Sequence, residues 1–296
     1  MRETDGHDKG RIVGPSHRQV PGGLSRRTAV GLFGIAGLGA LGAGFVVGSH
    51  PATTPPPFTR ALGAPHSAPR PFPKPFALPE YFTAPTLARA TAPGSAIFGL
   101  PGNLSLVALT VDDGTSTDVV AAYAKFLRDT GMRLTFFLNG LRPSWTENSR
   151  ALRPLVESGQ VQLGNHTWSH PDLRTLSTGK IVDELMINHD FITKTYGVDA
   201  RPYFRPPYGY RDDRVDAAAA SVGYTVPVMW YGSLSDSTLI SDADLMDSAT
   251  RWMLPQHIVI GHANYPTVTR HFTDIVKIVH DRGLTPVTLD DVFLRP

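Results

Sequence analysis

The chain has 296 residues, 41% of them hydrophobic and 18% charged, a balance that suits a packed globular domain and argues against a disordered protein. A formal net charge of +2 provides no broad basic field, so no nucleic-acid partner is expected. Cysteine is absent, which excludes disulfides, thiolate zinc sites, a cysteine nucleophile and a lipid-modified cysteine anchor.

Residues 1–50 read as targeting rather than fold. Ser25-Arg26-Arg27 precedes residues 28–48, a stretch of 21 residues with seven glycines and no charge. Paired arginines ahead of a weakly apolar, Gly-rich stretch are similar to a twin-arginine export signal, which makes that export machinery an expected partner. A stretch of about 20 apolar residues is also long enough to anchor a protein in a membrane. Both readings stand, and cleavage is open. Either way the membrane is met only through this segment, and the rest is expected outside the cytoplasm: extracellular, wall-associated or anchored facing outward. Residues 51–80 contain ten prolines in thirty positions and read as an extended linker that cannot form a packed core. A single folded domain is expected over 81–296.

From about Leu100 the pattern alternates strand and helix. An apolar run at 104–111 ends on Asp112-Asp113-Gly114, a strand entering a turn. Helical spacing follows at 119–128, a buried strand at 134–138, a helix at 149–158 and a short strand at 160–163 leading into Asn165-His166. A long amphipathic helix is expected at 178–196, a brief strand at 203–205 and an alanine-rich helix at 213–221. Beyond these come a strand at 224–230, a helix at 242–253, a strand at 257–261, a helix at 268–281 and a last strand at 284–288. About seven βα units without hairpin signals predict an α/β fold on a parallel sheet, open or closed. In a barrel of this type functional residues sit where strands end. The polar clusters fall at those ends.

His166-Thr167-Trp168-Ser169-His170 places two histidines four apart, close enough to face one metal from a helical turn or compact loop. The position after the first histidine, a glutamate in zinc proteases, is Thr167 here, so a general base has to come from elsewhere. Two carboxylates at one strand end, Asp112 and Asp113, repel each other unless a cation compensates. One carboxylate with two imidazoles makes an open facial site and leaves the second carboxylate as a base. The alternative is a turn or N-cap aspartate pair beside polar loop histidines. Arg205 precedes Pro206-Pro207-Tyr208-Gly209, where the prolines fix the backbone and free the Tyr208 N–H to point inward. Ile260-Gly261-His262 ends a strand on a histidine, a natural proton donor near neutral pH.

With these residues in view, the chain from about Leu104 to Phe293 resembles the polysaccharide deacetylases, carbohydrate esterase family four with the NodB-homology domain. Thr110-Val111-Asp112-Asp113-Gly114 is similar to the first family motif. The His166–His170 segment is similar to the second, Arg205–Gly209 to the third and Ile260-Gly261-His262 to the fifth. The resemblance implies a distorted (β/α) barrel of about seven parallel strands. It implies a divalent metal, most often zinc, held by Asp113, His166 and His170, with Asp112 as general base oriented by Arg205. A metal-bound water would attack the acetyl carbonyl, the metal and the Tyr208 N–H would stabilise the oxyanion, and His262 would protonate the leaving sugar amine. The fourth motif departs from the family pattern. Its strand ends at Trp230, an expected substrate contact, and Asp236, expected to tune His262, is followed by Ser237 where the family carries tryptophan. That removes an apolar wall of the substrate groove unless Trp168 or Tyr231 compensates. The expected activity is N-deacetylation of a peptidoglycan or chitin-like glycan. The alternatives are O-acetyl esterase action on an acetylated xylan-type glycan, or a catalytically weak glycan-binding wall protein.

Overall fold

The computed structural model describes residues 81–295, so the twin-arginine-like stretch and the Pro-rich segment lie outside the described residues. Among the described residues no helix is long and apolar enough to cross a membrane. A short pair, β1 (Ala90–Thr91) and β10 (Phe293–Leu294), ties the beginning of this region to its end. The main sheet is parallel throughout. Its order is β6 (Val226–Pro227), β5 (Tyr203–Phe204), β4 (Val161–Asn165), β3 (Leu134–Leu138), β2 (Leu106–Asp113), β8 (His257–His262) and β7 (Gly232–Ser233). A further strand, β9 (Thr285–Pro286), pairs with the start of β2. The seven ordered strands curl into the distorted barrel that the resemblance implies.

The curl follows from alternation. Val107, Leu109 and Val111 of β2 enter the large core shared with α1 (Thr117–Thr130), α3 (Ser149–Glu157), α4 (Thr178–Tyr196), α5 (Asp213–Ala220), α6 (Asp242–Trp252) and α7 (Phe272–Asp281). Leu106 and Ala108, on the other face, join Phe137, Tyr203, Val226 and Ile258 in a second, smaller cluster inside the curl. Thr110 and Asp112 continue that inner row, so Asp112 is an interior residue by strand parity alone. The inner space is tight. A Cβ at Gly164 would lie 2.4 Å from the Phe137 ring, so a side chain there would displace an aromatic of the inner cluster.

Side-chain caps set where helices begin. Ser116 accepts from Val119 N at the start of α1, and Ser177 from Lys180 N at the start of α4. α4 runs over 178–196, as its spacing predicts. Other boundaries differ from expectation. The strand expected at 224–230 is only Val226–Pro227. Pro227 has no N–H for the ladder, and the chain then turns so that Met229 N donates to Ile97 O. Trp230 is thereby freed from the sheet. The helix expected at 268–281 is a 3₁₀ turn, Pro266–Arg270, followed after His271 (φ −116°) by α7. The strand expected at 284–288 stops at Pro286, because Thr288 instead caps α8 (Leu289–Val292) in a capping box with Asp291. A helix not foreseen, α2 (Pro143–Glu147), begins on proline at its first turn.

Candidate active site

Parallel pairing brings the strand ends into one rim. Asp112 lies level with Phe137 and His262, Asp113 with Leu138, Leu138 with Asn165 and Asn165 with Phe204. Asp112, Asp113, His166, Arg205 and His262 therefore come together although 150 residues separate the first from the last. All but the fully buried Arg205 border a cleft of about 490 Å³, lined by Asp112, Asp113, His166, His170, Tyr208 and His262, together with Trp230, Ser233, Ser237 and Ile260.

The two aspartates take different positions because their backbones differ. Asp112 is still in strand conformation and points inward. Parity would aim Asp113 at the helices, but its φ of 70° turns it back to the mouth. Asp113 itself is therefore left-handed, as well as the Gly114 that the sequence singled out. Thr167 (φ 67°), His170 (φ 64°) and Tyr208 (φ 61°) share this uncommon conformation. Of six such non-glycine residues among the described ones, Asp113, His170 and Tyr208 line the cleft, Thr167 lies buried in the loop between His166 and His170, and Ser235 adjoins Asp236. Strain of this kind persists only where surrounding structure enforces it, and it concentrates at functional sites.

Asp113 Oδ1 lies 3.4 Å from Nε2 of both His166 and His170, and it is buried without a hydrogen-bond partner. Its other oxygen accepts from Asn264 Nδ2 at 2.7 Å. His166 Nδ1 is 2.7 Å from the Arg205 carbonyl, which can only accept, so Nδ1 carries the proton and Nε2 turns its lone pair to the cleft. One carboxylate oxygen and two imidazole nitrogens within 4.8 Å of one another form a donor set that fits a divalent metal such as zinc. The orphaned Oδ1 fits it too, since a buried carboxylate oxygen without a donor is costly unless a cation compensates.

Charge and burial tune these groups separately. Burial would raise the Asp113 carboxyl, but His166, His170 and Asn264 hold it well below the usual carboxylate range. Burial, then the charge of His166, depresses His170 to about 4, so its imidazole is neutral at ordinary pH. His166 is buried, which favours the neutral ring, but Asp112 and Asp113 outweigh this and raise its pKa.

Asp112 Oδ1 accepts from Arg205 Nη1 at 2.6 Å, and its Oδ2 lies 3.5 Å from His166 Nε2. Arg205 is fully buried. Its Nε donates to Val228 O, and its guanidinium lies 4.3 Å over the Phe137 ring and 5.6 Å from Trp230. Burial lowers the Arg205 pKa and Asp112 opposes the shift. The guanidinium remains a cation.

His262 is gripped twice by Asp236, whose Oδ1 lies 3.0 Å from Nδ1 and whose Oδ2 accepts the His262 backbone N–H at 3.2 Å. Burial disfavours the imidazolium, but Asp236 and then Asp112 outweigh it, so the His262 pKa is raised. Ser237 lines the cleft beside this pair, where the fourth motif departs. Neither Trp168 nor Tyr231 borders the cleft. Trp168 packs against Phe191, and Tyr231 against His257 and Trp252. Trp230 does border it and packs against Gly209, where a Cβ would come within 2.9 Å of the indole.

Three fully buried asparagines support the histidine loop, and the sequence reading did not single them out. Asn139 Nδ2 donates to His166 O at 2.5 Å and to Thr167 O at 3.1 Å, and Asn165 Oδ1 accepts from Thr167 N. Asn188, on α4, donates to Leu138 O and to Asn165 Oδ1 and accepts from Gly140 N. Asn188 falls on the buried stripe of α4, where a polar residue otherwise weakens a helix face; that is the one signal that could have found it. Glu184 clamps the exposed side, accepting from Ser169 N and Oγ. Asn188→Ala is expected to lower unfolding free energy by about 2–4 kcal/mol, because buried partners lose their donor or acceptor. Urea titration checks it, and a loss below about 1 kcal/mol would show that these partners find others.

The polysaccharide deacetylase family model matches residues 101–227. Chitin deacetylase 1 of Cryptococcus neoformans is 36% identical over 166 residues, which is 56% of this chain and 33% of that protein. The peptidoglycan-N-acetylglucosamine deacetylase PgdA of Listeria monocytogenes is 25% identical over 191 residues, covering 63% and 38%. The chain thus matches between about a third and two fifths of the length of these two relatives. A family 4 carbohydrate esterase pseudoenzyme of Bacillus anthracis superposes with a TM-score of 0.59 at 24% identity, over 67% of this chain and 70% of that one, a likeness of fold. Strand order, cleft and sequence matches point the same way: over residues 101–227 the chain is similar to the polysaccharide deacetylase family.

Proposed function

We propose that this protein is a metal-dependent hydrolase that removes N-acetyl groups from a peptidoglycan or chitin-like glycan. The observation that carries the reading is the unpartnered Asp113 Oδ1 facing Nε2 of both His166 and His170, beside a second carboxylate paired with a buried arginine. Asp113, His166 and His170 would hold the metal, zinc by donor type, which when bound supplies Lewis acidity toward the acetyl oxygen and the attacking water.

The remaining chemistry is the chain's own. Asp112, oriented by the hydrogen bond from Arg205 Nη1, takes a proton from the water. The Tyr208 backbone N–H, in its left-handed turn, donates to the oxygen on which charge develops. His262, steadied by Asp236, gives a proton to the sugar nitrogen as the C–N bond breaks, so acetate and a free amine leave. Trp230 offers an apolar wall. The presence of Asp112 and His262 on one cleft, with Arg205 paired to Asp112 behind it, favours an enzyme over a glycan-binding wall protein that keeps only the fold.

The domain division belongs to the same proposal: an export or anchor segment over 1–50, a linker over 51–80 and the catalytic domain over 81–296, with the catalytic domain working outside the cytoplasm. Product analysis on acetylated chitin oligomers, peptidoglycan and acetylated xylan tests the substrate class. Acetate matched by new primary amine is expected. Acetate released from xylan alone would instead make the protein an O-acetyl esterase.

A further inference from the structure

We infer that Asn264 is a positioning residue that aims the Asp113 carboxylate at the metal; this rests on the reading of Asp113, His166 and His170 as metal ligands. Asp113 is the last residue of its strand ladder, in left-handed backbone, where a short carboxylate side chain could present either oxygen or both. Asn264 removes that freedom. Its Nδ2 donates to Asp113 Oδ2 at 2.7 Å, which leaves Oδ1 alone to face the two imidazoles.

The amide cannot be turned the other way. Its Oδ1 accepts from the Thr115 backbone N–H at 3.1 Å and from Thr115 Oγ1 at 2.8 Å. A backbone N–H can only donate, so the oxygen must face Thr115 and the NH₂ must face Asp113. The backbone holds the two partners in register. Ala263 N donates to Asp112 O at 3.0 Å, and Ser116 N to Ala263 O at 3.3 Å, on either side of the Asn264 contacts. The segment that ends β8 therefore delivers both His262 to the cleft and Asn264 to the metal carboxylate. Groups hydrogen-bonded to a ligand's free end set its orientation, and their loss weakens metal affinity about 10–100-fold.

Asn264 is partly exposed, so its truncation opens no cavity in either core cluster. The test is zinc affinity of the purified protein, measured by competition with a chromophoric chelator, together with the melting temperature of the metal-free protein. Asn264→Ala is expected to bind zinc about 10–100-fold more weakly with the metal-free melting temperature unchanged. Thr115→Val, which keeps the backbone donor and loses the hydroxyl, should weaken zinc binding in the same direction and by less. Asn264→Ala with wild-type zinc affinity would overturn the inference while leaving the metal reading intact. So would an affinity loss matched by a fall in metal-free melting temperature, since Asn264 would then act through the fold. Wild-type protein that takes up no zinc would overturn the metal reading and this inference together.

Discussion

Replacing His262 with alanine is expected to slow acetate release from an N-acetylated glycan on the order of 10²–10⁴-fold, the range of a general acid. An amine leaves poorly unless protonated, whereas an activated phenoxide needs little help, so phenyl acetate hydrolysis should fall much less. Zinc content should not change. Equal loss on both substrates would mean that His262 positions the acetyl group, and loss of zinc would make it a ligand.

The pH dependence has a definite sign. Against burial, Asp236 and Asp112 raise the His262 pKa, so the protonated form persists to higher pH than for an unassisted histidine. The rate should hold above the ordinary histidine range and then fall as pH rises through the raised value. Asp236→Asn removes a charge that favours the imidazolium and should move this alkaline limb to lower pH. A limb that stays in place would show that another group sets it.

A loss of similar order is expected for Asp112→Asn, for a different reason. The amide cannot accept a proton from water, yet it preserves the shape facing Arg205 Nη1. Zinc affinity should stay near that of the wild type while turnover falls on both amide and ester substrates. That pattern separates it from His262→Ala, which spares the activated ester. If Asp112→Asn instead loses zinc, the roles of the two aspartates are exchanged. Arg205→Ala is a poorer probe, because it leaves the buried Asp112 carboxylate without its cation and so also destabilises the fold.

How much of this was legible beforehand varies with the physics of each element. β2, β3 and α4 were readable because an apolar run or stripe persists for a whole element, and the inward parity of Asp112 follows from it. The cluster of Asp112, Asp113, His166, Arg205 and His262 was visible as polar residues at strand ends, and parallel pairing brings those ends together. β6 and β9 were overextended because apolar residues continue past prolines that the ladder cannot use. The left-handed turn at Asp113 has no sequence signature, since any aspartate before glycine looks alike. Asn139, Asn165 and Asn264 were missed for a related reason. Each bonds a segment far along the chain or a local loop, and no periodicity marks such a contact.

The most direct measurement is acetate release from an acetylated glycan panel by purified protein before chelation, after chelation and after zinc is returned. Chelated protein is expected to lose acetate release while keeping its circular dichroism spectrum, because the cleft sits on a barrel with its own core. Added zinc should restore turnover. Full turnover by verified metal-free protein would contradict the account.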